Sequence, residues 1–416
     1  MNKLPNGWQI KTLGDIFLIE RGSSPRPIKS FLTNDNNGIN WIKIGDAKNN
    51  SKYIYQSAEK IRPEGKKYSR FVEIGDLILS NSMSFGRPYI MKTIGCIHDG
   101  WVVLRKILKN IIYEEYAYYI LSSNQVHSEF SKLAAGSVVK NLSIDRIKQV
   151  YIPIPPLDEQ KRIASALSKI DAYLENTIKL IEEKERFKRG IAKKLLTCKE
   201  GENIPEARFK GFEDEWKEYN LSKIGVSYNG LRNKKANSFV ENCNAKYITY
   251  KSVYDKNKID INRLGNVFIG KNENQNLVKY GDIFFTISSE TPDEVAISSV
   301  LLDEVENTYL NSFCFGFRFD FNILLPEFAR YYFRSDYIRK STYRLAQGIT
   351  RYNISKKKFL DIIIYLPSLE EQEKIGGYLS LLDKEIDNLK KQKELIKEMK
   401  RGAMQKLLSG EVRLLK

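Results

Sequence analysis

Two stretches of this chain, 212 residues apart, carry nearly the same text, and that duplication constrains the fold more than any other property. Near residue 150 the sequence reads Ile152-Pro-Ile-Pro-Pro-Leu-Asp-Glu-Gln160, then an apolar-periodic stretch closing on Lys188-Arg-Gly190 and Lys194-Leu-Leu196. It returns as Ile364-Tyr-Leu-Pro-Ser-Leu-Glu-Glu-Gln372, a similar stretch, Lys400-Arg-Gly402 and Lys406-Leu-Leu408. The register holds without a gap from Pro155/Pro367 to Leu196/Leu408. Earlier signals recur at nearby offsets: Trp8…Leu13…Ile16 with Trp216…Leu221…Ile224, Trp41-Ile-Lys-Ile44 with Tyr247-Ile-Thr-Tyr250, Gly75-Asp-Leu77 with Gly281-Asp-Ile283, and Asn141-Leu-Ser143 with Asn353-Ile-Ser355. Solenoid periods reach roughly 50 residues at most. The repeat is therefore a duplicated domain-plus-helix module, and such a module suits a target with two parts.

At 416 residues the chain has room for two or three domains with real cores. A formal net charge of +17 favours a polyanionic partner, nucleic acid before an anionic membrane surface. No apolar run approaches the ~18 residues needed to cross a bilayer, and Met1-Asn-Lys-Leu-Pro-Asn lacks the apolar centre of a signal peptide. Cys96, Cys198, Cys243 and Cys314 lie far apart with no CxxC. A cytoplasmic protein, with neither disulfides nor zinc and with no membrane contact, is expected.

Four segments follow: a mixed α/β domain over 1–152, a helical spacer over 153–200, a second α/β domain over 201–364, and a second spacer over 365–416. Within the domains, helices are expected over Tyr113–Leu133 and Pro326–Leu345, and charge-rich Lys199–Ala207 reads as the linker between repeats. In the first spacer Ile163, Leu167, Ile170, Leu174 and Ile181 keep helical spacing; in the second Ile375, Leu379, Leu382, Ile386 and Leu389 do the same. Pro155-Pro156 and Pro367 fix the entries, and Asp158-Glu159 and Glu370-Glu371 put negative charge where the helix dipole favours it. From Glu159 to Leu196 is 38 residues, or ~57 Å of straight helix. Stripes this narrow and long predict that the two spacers pair with each other as an intramolecular coiled coil, in preference to each helix packing on its own domain. The fold class is thus α/β (α+β), with a pseudo-two-fold internal repeat.

The search for chemistry returns mostly absences. The chain has no GxxxxGK[ST] and no GxG, Pro292-Asp293 lacks a nuclease-type partner, and His98 and His127 are the only histidines. The Gly75-Asp76 and Gly281-Asp282 pairs read as turns feeding buried strands, not as catalytic carboxylates. A chain without its own catalysis or metal site is expected. Binding equipment remains. The first repeat offers Arg21, Ser24, Arg26, Lys43, Ser80, Asn81, Arg87, Lys140 and Asn141; the second offers Arg232, Lys234, Lys235, Thr249, Lys251, Ser288, Gln347, Thr350, Arg351 and Asn353. Arg, Asn and Gln can pair with purine edges, while Lys, Ser and Thr mostly hold phosphates. Any one of them alone reads better as a solvated loop residue; their recurrence at matched places in a +17 chain without catalytic motifs points to double-stranded DNA.

On Pro155-Pro-Leu-Asp-Glu-Gln-Lys-Arg-Ile163 and Pro367-Ser-Leu-Glu-Glu-Gln-Glu-Lys-Ile375 with their helices, the chain resembles the specificity subunits of type I restriction-modification systems. Trp41-Ile-Lys-Ile-Gly-Asp46 and Gly75-Asp-Leu-Ile-Leu-Ser80 support the likeness, which covers essentially the whole chain. The resemblance implies two target recognition domains, each reading half of a split sequence, and the different loops Lys140-Asn-Leu-Ser143 and Tyr352-Asn-Ile-Ser355 lead us to expect a non-palindromic one. It implies helices that form an antiparallel coiled coil, space these domains and dock two methyltransferase subunits, with restriction subunits joining through the complex. S-adenosylmethionine, ATP and magnesium would then sit on partner subunits, and this chain would hold no cofactor. Ser368 in place of a second proline, and Gly376-Gly377, which softens the start of the second helix, depart from the pattern. A single-chain methyltransferase or nuclease with an unrecognised site, and a coiled-coil scaffold without sequence preference, are the alternatives.

Overall fold

The computed structural model describes residues 4–47, 51–81, 86–108, 110–134, 143–199, 201–241 and 243–415. The chain divides into two compact units, Met1–Ile178 with Gln392–Lys416, and Lys179–Lys391. Both divisions fall inside long helices, Leu157–Leu196 and Leu369–Ser409, so each unit holds one mixed α/β domain and a part of both helices.

In the first unit, Phe17–Arg21, Trp101–Lys106, Leu77–Ser80, Pro88–Met91 and Tyr53–Ile54 make one sheet in that order. A second sheet runs Leu32–Thr33, Glu59–Ile61, Ile39–Ile42, Gly95–Ile97 and Arg70–Val72. The second unit repeats the plan with fewer strands: Gly225–Asn229, Cys314–Phe319, Ile283–Thr286 and Ser298–Val300 in one sheet, and Gly265–Val267, Ala245–Ile248 and Thr308–Leu310 in another. Register confirms the duplication, because Leu79 faces Val102 where Phe285 faces Phe315. The buried strands Leu77–Ser80 and Ile283–Thr286 are entered through Gly75 and Gly281, whose φ of +93° and +82° needs no Cβ. The carboxylates of Asp76 and Asp282 accept the amides of Glu73 (2.9 Å) and Lys279 (2.8 Å), which is turn chemistry.

A short antiparallel pair closes each domain, Gln9–Thr12 with Tyr151–Ile154 and Lys217–Asn220 with Ile363–Leu366. The prolines that follow release the chain into the long helices. Gln160 and Gln372 anchor these entries identically, donating to Pro155 O (2.9 Å) and Pro367 O (3.1 Å) and accepting from the amides of Tyr113 and Leu325 (2.8 Å each).

The long helices both pair with each other and pack on the domains, so the two readings of the apolar stripes hold together. Ile163 and Leu167 are fully buried in the first core, joined there by Leu407 and Leu408 from the far end of the other helix. Ile375, Leu379 and Leu382 enter the second core with Leu195 and Leu196. Pairing is antiparallel in each unit. In the second, Lys188 meets Asp383 and Lys390 meets Glu185 (2.7 Å); in the first, Lys400 meets Asp171 (2.6 Å). Ile181 and Ile386 are buried, Ile170 packs against the first core, and Leu174 and Leu389 are half-buried.

Three expectations change in detail. The helix expected over Tyr113–Leu133 is two, Glu114–Leu121 and Asn124–Ala134, and that over Pro326–Leu345 is Pro326–Tyr332 and Asp336–Leu345. Ser122 and Ser123 turn their hydroxyls back onto Tyr118 O and Ile120 O (2.7 Å each), competing with the helix. Arg334 does this in the second unit by donating to the carbonyls of Ser298, Val253, Tyr254 and Lys256. The linker after Leu196 is folded: Lys199 N donates to Ile204 O (2.9 Å) and Ala207 N to Lys194 O (3.0 Å). Gly376 is a close-approach residue, since a Cβ there would lie 3.0 Å from Phe328 N.

Candidate nucleic-acid interface

In the second unit, one end of the larger sheet gathers loops from four parts of the sequence. Strand Gly225–Asn229 runs out into Gly230, where a Cβ would sit 2.1 Å from Asn311 O, so only glycine lets the two loops cross. Beyond it, Gln275 clamps Arg232 by accepting from its amide and donating to its carbonyl, both at 3.0 Å. The Arg232 side chain is exposed. Ile287 N reaches Phe313 O (2.9 Å) and Ile354 N reaches Ile287 O (3.1 Å), which brings the 311–313 turn and the 347–353 loop to the same end. Ser288 and Ser289 pair there with Asn353 and Tyr352. Gln347 and Asn353 exchange backbone hydrogen bonds of 2.9 and 2.8 Å, closing a tight hairpin. Gly348, at φ +139°, leaves 2.1 Å between a notional Cβ and Arg351 O. At the tip, Ile349 is 91% exposed, with Thr350 and Arg351 also in solvent.

Cations concentrate here. Lys356 donates to Asn229 Oδ1, and burial, then the nearby charge of Arg232, lowers its ammonium below the usual lysine range. Tyr250 donates to Ser288 O (2.9 Å), drawing in the helix Tyr250–Asp255; Thr249 caps that helix by accepting from Ser252 N (3.1 Å), and Lys251 is exposed beside it. Lys234 behaves differently. Its ammonium pairs with Glu273 and donates to Phe268 O (2.6 Å), and its side chain is nearly buried. The Lys234 hydrogen bond is the main reason the Glu273 carboxyl falls to about 2. Lys235 is exposed.

The first unit builds the matching end with the same devices. Gly22 follows strand Phe17–Arg21, and a Cβ there would lie 2.0 Å from His98 O, the counterpart of the Gly230 crossing. Three residues converge on the adjoining turn: Arg21 Nε donates to Asp99 O (3.2 Å), Ser24 Oγ to Asp99 Oδ1 (3.1 Å), and Arg26 lies 3.8 Å from Asp99 Oδ2. His98 belongs to this turn and accepts the Gly100 amide at Nδ1 (2.6 Å). Ser80 and Asn81 are buried behind it; Ser80 Oγ accepts Arg87 N (3.1 Å) and Asn81 N donates to Gly100 O (2.8 Å). Arg87 lies over the Tyr89 ring at 5.4 Å. Lys43 pairs with Glu59 on the other sheet. Lys140 and Asn141 lie outside the described residues.

The structure therefore groups Arg21, Ser24, Arg26, Ser80, Asn81 and Arg87 in one unit, and Arg232, Ser288, Gln347, Thr350, Arg351 and Asn353 in the other. It adds Phe313, Ile349, Lys356 and Asp99, which sequence reasoning passed over. Ile349 carried a signal, since an isoleucine inside Gln347-Gly-Ile-Thr-Arg351 has no apolar period to join. Among the described residues, no group of three or more His, Cys, Asp or Glu is placed to hold a metal ion, and no helix is long and apolar enough to cross a membrane.

Comparison with known proteins places these ends in context. Residues 5–183 and 213–398 each match the model for the type I restriction modification DNA specificity domain. The MjaVIII type I restriction enzyme specificity subunit of Methanocaldococcus jannaschii is 26% identical, over 99% of this chain and 94% of its own length. The EcoKI specificity subunit of Escherichia coli K12 is 21% identical, over 93% and 86%. Among solved structures, one described under complex assembly and conformational transition of the type I R-M system superposes with a TM-score of 0.64 at 17% identity, over 99% of this chain and all of that one. The HsdS subunit of Thermoanaerobacter tengcongensis superposes at 0.55 and 18% identity, over 99% and 98%.

Proposed function

The chain belongs to the type I restriction modification DNA specificity family and is a non-catalytic DNA-specificity subunit of such a system; from that premise we propose how it reads DNA and what it carries. The two loop-gathered sheet ends each read one half of a bipartite target. The observation that carries this is the repetition of one device with different side chains. Glycine crossings at Gly22 and Gly230 hold equivalent loops, yet where the first unit places Arg21, Ser24 and Arg26 the second places Asn229, Arg232 and Lys234. Equal scaffolds with unequal chemistry call for two different half-sequences, so the target is not a palindrome.

The long helices dock two methyltransferase subunits, one on each unit, and restriction subunits join through the complex. Exposed apolar side chains support this. Phe187 in the second unit and Met399 in the first occupy the same repeat position and are each about half exposed, and Leu180 and Leu381 in the second unit and Tyr173 and Leu395 in the first are exposed as well. Large apolar residues left in water at equivalent places suit a partner met twice. S-adenosylmethionine, ATP and magnesium belong to those partners, this chain binds none of them, and the complex works in the cytoplasm.

Co-expression with the neighbouring methyltransferase subunit, followed by mapping of methylated adenines across the host genome, tests the reading. One asymmetric bipartite motif is the expected result. Methylation without sequence preference would favour the scaffold alternative, and methylation by this chain alone would favour the single-chain enzyme.

A further inference from the structure

One carboxylate per unit is tied in the same way. In the first unit, Asp171 on the helix Leu157–Leu196 accepts Tyr119 OH (2.7 Å) from the domain helix Glu114–Leu121 and pairs with Lys400 of the other long helix (2.6 Å). In the second, Asp383 accepts Tyr331 OH (2.6 Å) from the domain helix Pro326–Tyr332 and pairs with Lys188. Tyr119 and Tyr331, Asp171 and Asp383, and Lys188 and Lys400 are all repeat partners 212 residues apart. Each trio joins three elements at one point: the domain, its own long helix, and the helix of the other repeat.

A further cation serves both sites but arrives from different places. Lys52 supplies it in the first unit, donating to Ser168 Oγ (2.9 Å) and Tyr119 OH (3.2 Å) and lying 3.6 Å from Glu115. In the second, Arg330 bridges Glu327 (3.0 Å) and Asp383 (2.9 Å). The core trio stays the same while its surroundings differ, so the trio itself is the shared feature.

Half-buried ion pairs are poor sources of net stability, and apolar packing would hold these helices as well. What the trio adds is direction. A slip of one residue along a helix moves a group by ~1.5 Å, enough to break a hydrogen bond of this length, whereas leucine packing tolerates it.

We propose that Tyr119–Asp171–Lys400 and Tyr331–Asp383–Lys188 are positioning residues that fix the seat of each reading end on the helix pair, and so the unread spacer length accepted between half-sequences. The inference rests on the bipartite reading above. It is tested on the intact complex with the methyltransferase, by competition among duplexes carrying the native spacer or a spacer changed by one base pair. Tyr331→Phe and Asp383→Asn are expected to leave half-sequence preference and native-spacer affinity nearly unchanged while discrimination against altered spacers falls about tenfold, the worth of one hydrogen bond. Lys188→Arg is expected to keep it. Should Asp383→Asn prevent assembly, Tyr331→Phe decides, because it removes a single hydroxyl. An assembled Tyr331→Phe complex as strict about spacing as the wild type overturns the inference alone. A wild-type complex with no spacer preference overturns the bipartite reading and the inference together.

Discussion

Arg351 and Lys234 show how differently two basic loop residues are used. Lys234 is consumed by Glu273 and a backbone carbonyl, whereas Arg351 stands in solvent on a hairpin whose shape Gly348 permits. Both read alike in the sequence, because loop composition does not reveal which cation finds an internal partner. Arg351→Ala is expected to weaken or relax reading of the second half-sequence only, by roughly 1–3 kcal/mol if a base contact is lost; methylation mapping of the variant checks this, and altered bases in the first half would contradict it. Glu159 offers a second prediction. The Arg413 guanidinium, then the Trp8 indole, hold its carboxyl below the usual range. The folded chain thus binds this proton more weakly than the unfolded one. The stabilisation is complete above the ordinary glutamate pKa of about 4.3 and is lost as pH falls through the lower folded value. Glu159→Gln should therefore flatten the acid limb of the melting temperature against pH, read by thermal unfolding between pH 3 and 6, and an unchanged limb would remove Glu159 from the account.

At the scale of elements, the long helices were the most legible part of the molecule. Apolar spacing, proline entries and acidic first turns at Leu157 and Leu369 agree with one another over 40 and 41 residues. Periodicity reports that a stripe is buried but not against what, which is why the shared role of Ile163, Leu167, Ile375 and Leu379 in helix pairing and domain cores was not visible. The breaks after Leu121 and Tyr332 were hidden for a related reason, since Arg334 acts through carbonyls far away in sequence. The paired glycines of the second helix now separate. Gly377 has open space around its missing Cβ, while Gly376 lies against the backbone of Pro326–Tyr332. Gly377→Ala is expected to stabilise by about 0.5–1 kcal/mol through helix propensity. Gly376→Ala should gain less or lose, because the neighbouring backbone must give way. Denaturant unfolding of both variants distinguishes the two, and equal gains would show that the close approach has no energetic weight.

Over the whole molecule, the net charge of +17 indicates a polyanionic partner and the duplication suggests a target with two parts, while the target bases stay beyond reach because loop side chains follow no code. Phosphate contacts should dominate affinity, so the logarithm of the binding constant is expected to fall linearly with the logarithm of salt, with a slope near −0.9 per phosphate neutralised; a titration insensitive to salt would contradict a cation-led interface. The two domain cores differ more than their strands do. Where the second stacks Phe285, Phe315, Phe333 and Phe359 against one another, the first places Leu79, Val102, Leu121 and Ile147 at the matching positions. A chimera joined inside a domain would thus set phenylalanines against a lining shaped for smaller aliphatic groups, and overpacking of that kind costs about 1–3 kcal/mol per site. A junction placed within the long helices avoids the mismatch. Their matching registers make them the natural joints for grafting, along which new pairings of half-specificities can be assembled while each core is inherited whole.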